Sequence, residues 1–166
     1  KIDRIRQHLE GLGYPYRDVP CQPEGFRRIS FTSPMREKFF GEFWWTLNTR
    51  QLEIVVDECR FWDGSQDARG NGSFSFHSRT KGDADFIQYA ASATGRTATL
   101  YTTQREGGID YTVRVQPRSQ YVSGKPDRKW ITKVPNPEGF KYCFQVPSGA
   151  LVLRRNGKVF VTGNCG

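Results

Sequence analysis

Histidine is scarce, with only His8 and His77, and the four cysteines (Cys21, Cys59, Cys143, Cys165) include no Cys-x-x-Cys pair. A zinc site of the usual spacing therefore has no ligand set, and a disulfide-dense secreted scaffold is not indicated. No stretch approaches the roughly 18–20 apolar residues that a membrane helix requires, and the opening residues do not read as a signal peptide. The expectation is a cytoplasmic protein with no membrane partner. Met35 is the sole methionine, so Lys1 does not read as a translation start. The chain stops at Asn164-Cys165-Gly166, directly after a strand-like run. Both ends are expected to be cut from something longer.

What the chain does have is enough to fold. Its 166 residues suit one ordinary domain or two small ones, and 12 Phe, 7 Tyr and 4 Trp supply a core. Lys+Arg number 25 against 17 Asp+Glu, a net charge of +8 with a pI near 9.5. Such a balance favours a polyanionic partner and bears on association rather than on fold.

Periodicity organises the chain. Ile2, Ile5, Leu9 and Leu12 share one helical face, and Gly13 supplies the stop. Residues 26–32 read as a strand, and Ser33-Pro34 reads as an N-cap with Pro at the first helical position of a helix over 34–47. Leu52, Val55, Val56, Cys59 and Trp62 then mark a second helical face ending at Asp63-Gly64, where Gly takes a left-handed turn. After a loop over 65–72 come a strand near 73–79, a helix near 83–94 closed by Gly95, and strands over 96–104 and 109–117 around Arg105-Glu106-Gly107-Gly108. In the last of these Ile109, Tyr111, Val113 and Val115 face one way, while Asp110, Thr112, Arg114 and Gln116 face the other. Helix 1–12 ending in Leu12-Gly13, then strands, echoes helix 83–94 ending in Thr94-Gly95, then strands. Beyond the basic stretch 118–129, strands are expected at Trp130–Val134, Tyr142–Val146, Ala150–Arg154 and Lys158–Val161, with Asn156-Gly157 as a hairpin turn.

The chemistry concentrates at the end. An Asn directly before a Cys can attack its own main-chain carbonyl through the side-chain amide, closing a succinimide and cutting the bond to the next residue. A thiol at that next position is a strong acyl acceptor. Tyr142, Phe144, Val146, the Asn156-Gly157 turn, Asn164 and Cys165 together resemble the C-terminal splicing blocks of inteins. Cys143 stands where most inteins carry Asp, and Gly163 stands where most carry His; the first, with Thr162, is similar to the class 3 inteins. The resemblance implies Cys143 as initiating nucleophile, Cys165 as acceptor, Asn164 as the residue that cyclises and Thr162 as an aid at the junction, with no cofactor. Gly163 leaves the proton donor for cyclisation unassigned, and Arg154 or Arg155 would act only electrostatically.

The middle segment, an apolar-faced helix from Leu52 ending in Phe61-Trp62-Asp63-Gly64, more loosely resembles the motif helix of LAGLIDADG homing endonucleases. That resemblance implies Asp63 as a carboxylate binding Mg2+ at scissile phosphates, where metal lowers the pKa of the attacking water. Asp57, Glu58 and Arg60 depart from the small residues of that helix.

The expected fold class is α+β: a LAGLIDADG-like helix and antiparallel-sheet region, then strands of a Hint splicing domain. Its divisions are the tail of a first repeat (1–48), a second repeat (49–129), splicing strands (130–164) and the start of the C-extein (165–166). Partners implied are an upstream intein portion in cis or in trans, a flanking host protein, and duplex DNA contacting Arg96, Arg105, Arg114 and Arg118. The alternative is a stand-alone basic DNA-binding or nuclease module without splicing activity.

Overall fold

The computed structural model describes residues 1–166 apart from 63, 68–69, 118–131, 133, 141–142 and 164–166. The architecture is mixed α+β, and the chain divides into two compact units, Lys1–Gly41 and Glu42–Gly166.

In the first unit the apolar spacing of residues 2–12 produces helix α1 (Ile2–Gly11), which buries Leu9. A Schellman motif ends it: Gly13 takes φ 70° and donates to Glu10 O at 3.0 Å, and Tyr14 N donates to Leu9 O at 2.8 Å. Strands β1 (Tyr16–Cys21) and β2 (Phe26–Phe31) then pair as an antiparallel hairpin. Asp18 accepts from Arg6 Nε at 2.8 Å and from Arg27 Nε at 2.6 Å. The Arg27 hydrogen bond chiefly, with Arg6 adding to it, holds the Asp18 carboxyl below its ordinary value.

The second unit opens with a short helix, α2 (Glu42–Trp45). The helix expected over 34–47 is confined to these four residues. Ser33 Oγ accepts from Met35 N at 3.1 Å, a local turn that no helical ladder continues. Helix α3 (Thr49–Cys59) starts in a capping box, with Gln51 N donating to Asn48 Oδ1 and Asn48 N donating to Gln51 Oε1, both at 3.0 Å. It buries Leu52, Val55, Val56 and Cys59, as its periodicity requires, whereas Trp62 stays exposed. Gly64 does not adopt the left-handed turn expected of it. Its role is close approach, since a Cβ there would lie 2.7 Å from Ser75 O and 3.2 Å from Cys59 O.

Strands β3 (Ser65–Gln66), β4 (Phe74–Ser78), β5 (Thr97–Arg105), β6 (Gly108–Gln116), β7 (Ala150–Arg155) and β8 (Lys158–Gly163) form one antiparallel sheet in the order β3-β4-β6-β5-β8-β7. Helix α4 (Lys81–Ala93) connects β4 to β5 and ends in a second Schellman motif, Gly95 to Ser92 O and Arg96 N to Ala91 O. The Leu12-Gly13 and Thr94-Gly95 echo is thus a real repetition of local geometry, helix, left-handed glycine, hairpin. Phe74, Phe76, Ala98, Val113 and Val115 are buried on the side of the sheet that α4 covers, and α3 packs on α4. Phe86 on α4 sits in an aromatic cluster with Trp44, Trp45 and Tyr89, ring centroids 5.5–6.4 Å away. Residues 143–146, expected as part of a strand, are irregular, and most of 130–134 lies outside the described residues.

The β7–β8 hairpin turns through Asn156 (φ 49°) and Gly157 (φ 72°), the type I′ geometry that Asn-Gly favours. It docks on the β5 edge: Leu100 N donates to Gly157 O at 2.8 Å, and a Cβ on Gly157 would overlap the Leu100 carbonyl oxygen. Gln88, 1% exposed on α4, locks the joint. Its Nε2 donates to Ala98 O at 3.1 Å and to Gly157 O at 2.6 Å, while its Oε1 accepts from Arg154 Nη1 at 3.3 Å. Arg154 also donates to Asp85 Oδ1 at 2.5 Å.

Phe86→Ala should cost about 3–5 kcal/mol in urea unfolding, the range for emptying a fully buried aromatic site. Gln88→Leu should cost about 1–3 kcal/mol through the donors and acceptors it leaves unmatched, and should accelerate hydrogen exchange at the Leu100 amide. Burial raises the Asp85 carboxyl, but hydrogen bonds from Lys81 and Arg154 outweigh it and hold it below its ordinary value. Its contribution is therefore present above the unfolded pKa of about 3.9 and is lost as pH falls through the lower folded value. Wild type should lose its stability advantage over Asp85→Asn across that acidic window in pH-dependent unfolding.

Candidate nucleic-acid interface

A sheet with helices on one side presents its alternate residues to solvent on the other. In β4 these are Ser75 and His77; in β5, Thr99, Tyr101, Thr103 and Arg105; in β6, Asp110, Thr112, Arg114 and Gln116. The register sets them side by side: Ser75 opposite Arg114, His77 opposite Thr112, Thr99 opposite Arg114, Tyr101 opposite Thr112 and Thr103 opposite Asp110. The alternation read from residues 109–116 shows in burial over its second half, with Val113 and Val115 buried and Arg114 and Gln116 exposed. At the hairpin end Ile109 is exposed and Tyr111 and Thr112 are both half-buried, because the cover over the apolar side stops short of the β5–β6 turn.

Two hollows mark this face. One of about 510 Å³ is lined by His77, Ser78, Arg79, Thr103, Arg105, Asp110 and Thr112. A smaller one of about 220 Å³ is lined by Ser65, Gln66, Asp67, Ser73, Phe74, Ser75 and Arg114. In the first, Asp110 holds two guanidinium groups, Arg105 Nε at 2.8 Å and Arg79 Nε at 3.4 Å. Both arginine side chains stay about two-thirds exposed. Each of these contacts is made through Nε, and a guanidinium has five N–H donors, so both arginines, largely exposed, keep further donors for a ligand. His77 Nδ1 lies 3.1 Å from Thr112 Oγ1. In the second hollow Arg114 lies 3.7 Å from Asp67. Arginines held in place by short-range carboxylates, among hydroxyls and an exposed Tyr101, form a surface able to take phosphate oxygens and base or sugar edges.

The arginines expected to contact DNA separate into three kinds. Arg105 and Arg114 stand on the open face. Arg96 does not: it stands just before β5, donates to Asp57 Oδ1 of α3 at 3.0 Å and to Thr94 Oγ1 at 3.3 Å, and its side chain is only 19% exposed. It joins the end of α4 to α3. Arg118 lies outside the described residues. Arg79 and His77 belong to the face and were not singled out from sequence. The signal for Arg79 is its place one residue beyond an alternating strand.

Of the residues that the intein resemblance implies, Cys143 is exposed on the irregular segment before the turn in which Gly149 N donates to Val146 O at 3.0 Å. Thr162 lies in β8 opposite Leu151, its Oγ1 donating to Gly163 O at 3.3 Å. Asn164 and Cys165 lie outside the described residues, as does Asp63. Among the described residues no three His, Cys, Asp or Glu side chains converge as a metal site would require. Cys59 is buried in α3, and that burial pushes its thiol up to about 12, so it is protonated near neutral pH. Among the described residues no helix is long and apolar enough to cross a membrane.

No family model, curated protein or solved structure matches this chain.

Arg96→Ala should lower stability by about 1 kcal/mol, the worth of a partly exposed charge-assisted bond, when followed by thermal unfolding. The variant should keep the salt dependence of any nucleic-acid binding, because its guanidinium is committed to Asp57.

Proposed function

We propose that the open face of the sheet binds duplex DNA, and that the chain is the C-terminal part of an intein with this face on its embedded endonuclease-like region. The observation that carries the binding reading is the one-sided layering. Helix α4, with α3 packed on it, covers one face of an antiparallel sheet, and the other presents Arg79, Arg105 and Arg114 among hydroxyl side chains. The net charge of +8 supplies the long-range attraction to a polyanion. The helix and antiparallel-sheet order of Thr49–Gln116 supports the LAGLIDADG-like reading of that region.

The splicing reading rests on the pattern around Cys143, Thr162, Asn164 and Cys165, supported by the Asn156-Gly157 hairpin that precedes the last two. In it, the Cys143 sulfur attacks the carbonyl at an upstream junction, takes the upstream acyl group as a thioester and releases the amine of the residue that follows that junction. Cys165 then takes the acyl group from Cys143. Cyclisation of Asn164 breaks the bond to Cys165 and leaves a C-terminal succinimide. One observation favours the stand-alone DNA-binding reading instead: β7 and β8 belong to the same sheet as the proposed binding strands.

Binding of a labelled mixed-sequence duplex, followed by anisotropy, should weaken steeply as salt rises, since neutralised phosphates release counterions. Arg114→Glu should weaken it more than Arg4→Glu in the first unit; equal effects would remove the sheet face from the account. For splicing, the chain is incubated with an upstream intein portion and followed by mass spectrometry. Cys143→Ala should stop N-terminal cleavage and splicing while cleavage after Asn164 persists, and Asn164→Ala should abolish that cleavage. Release of Cys165-Gly166 from the Asn164→Ala variant would rule out succinimide formation.

A further inference from the structure

The register carries the polar face beyond the strands assigned to binding above. Arg114 of β6 is opposite Thr99 of β5, Thr99 is opposite Lys158 of β8, and Lys158 is opposite Arg155 of β7. Residues opposite one another in an antiparallel sheet share a face, so these four form one row across four adjacent strands. Lys158 and Arg155 are exposed. Strands lie about 4.8 Å apart, which puts Lys158 about 10 Å from Arg114 along the row, within the reach of long side chains toward successive phosphates. Arg154, the neighbour of Arg155, points to the other side and is taken up by Asp85 and Gln88. The hairpin thus divides its cations by face, one inward to hold α4 and two outward.

We propose that the C-terminal hairpin is part of the DNA-binding surface: Lys158 and Arg155 contact backbone phosphates of the same duplex that lies on β4, β5 and β6. This rests on the DNA-binding reading of the sheet face. Linkage follows. If DNA contacts the hairpin only in its docked position, DNA binding and docking stabilise one another by the same factor. The hairpin, whose strand β8 carries Thr162 of the splicing reading, is then held tighter when DNA is bound.

The test measures anisotropy of a fluorescein-labelled mixed-sequence duplex against salt for the full chain, Lys158→Gln, Arg155→Gln, the double variant, and Arg50→Gln in the first turn of α3 as a control for net charge. Each hairpin substitution should weaken binding several-fold and lower the slope of log affinity on log salt by about 0.9, and the double variant by about twice that, as expected per lost phosphate contact. Arg50→Gln should leave the slope unchanged. Hydrogen exchange at Leu100, whose amide donates to Gly157 O, reads docking directly. Duplex should slow that exchange in wild type and not in the double variant, while without DNA the two proteins should exchange alike. If Arg114→Glu weakens binding but the hairpin variants match Arg50→Gln, the hairpin is outside the interface and this proposal fails while the sheet-face reading stands. If wild type shows no salt-dependent duplex binding at all, the sheet-face reading fails and the proposal with it.

Discussion

The side chain of Gln88 is the joint on which the second unit depends. It is a polar group with almost no access to water, and such a group is tolerable only when its donors and acceptor are all engaged. Ala98 O and Gly157 O take its two N–H groups, and Arg154 supplies its acceptor contact. These three partners come from β5, the hairpin turn and β7, so one amide requires a helix, a sheet edge and a distant hairpin to be assembled together. The requirement has a second consequence. Strand β5 would otherwise end the sheet with an unpaired edge, a site for promiscuous pairing, and the hairpin occupies that edge at Thr99 and Leu100.

Layering then decides which chemistry is presented. Phe74, Phe76, Ala98, Val113 and Val115 are used up on the side of the sheet that α4 covers, with α3 packed on α4, and there Phe86, Ile87, Val56 and Val113 lose all contact with water. With no described element of this unit on the opposite side of the sheet, the pleat delivers hydroxyls, arginines and a histidine to that face in register. Nothing in this arrangement needs a deep pocket. Its hollows are open to solvent and lined mostly by polar side chains, as suits a ligand that lies across a surface. The apolar hollow of about 520 Å³ lies on the other side, between α4 and the hairpin, lined by Trp45, Tyr89, Val152 and Val161 among others.

Much of this was legible in the sequence wherever one local rule dominated. The alternation over Val113–Gln116 identified the two faces of β6 where it is covered, Asn156-Gly157 identified a hairpin, and Gly13 and Gly95 identified helix ends. Legibility failed where the deciding partner was distant. Gln88 sits in an apolar helical stretch, and only the arrival of Gly157, far along the chain, makes it a keystone. Arg96 has the composition of a DNA contact, but Asp57 claims it. Gly64 looked like a turn glycine, whereas the backbone of Ser75 is what forbids a side chain there. Residues 34–41 had a start signal for a helix, but Met35 and Phe39 stay exposed, so no burial supports it, and capping alone does not sustain a helix against its nucleation cost.

The carboxylates on the open face pose the last question, because Asp110 and Asp67 subtract charge from a surface read as binding an anion. Their worth is not in stability: pairs as exposed as Arg105–Asp110 contribute ~0–1 kcal/mol. What they change is freedom. An arginine side chain carries about 2 kcal/mol of rotamer entropy, and a contact that holds its Nε fixes the fork in advance while leaving the terminal donors available. Two guanidinium groups sharing one carboxylate also keep their net charge positive at that spot. Asp110 therefore lowers the ordering cost that a phosphate would otherwise meet, at the expense of one unit of charge in a face that retains several.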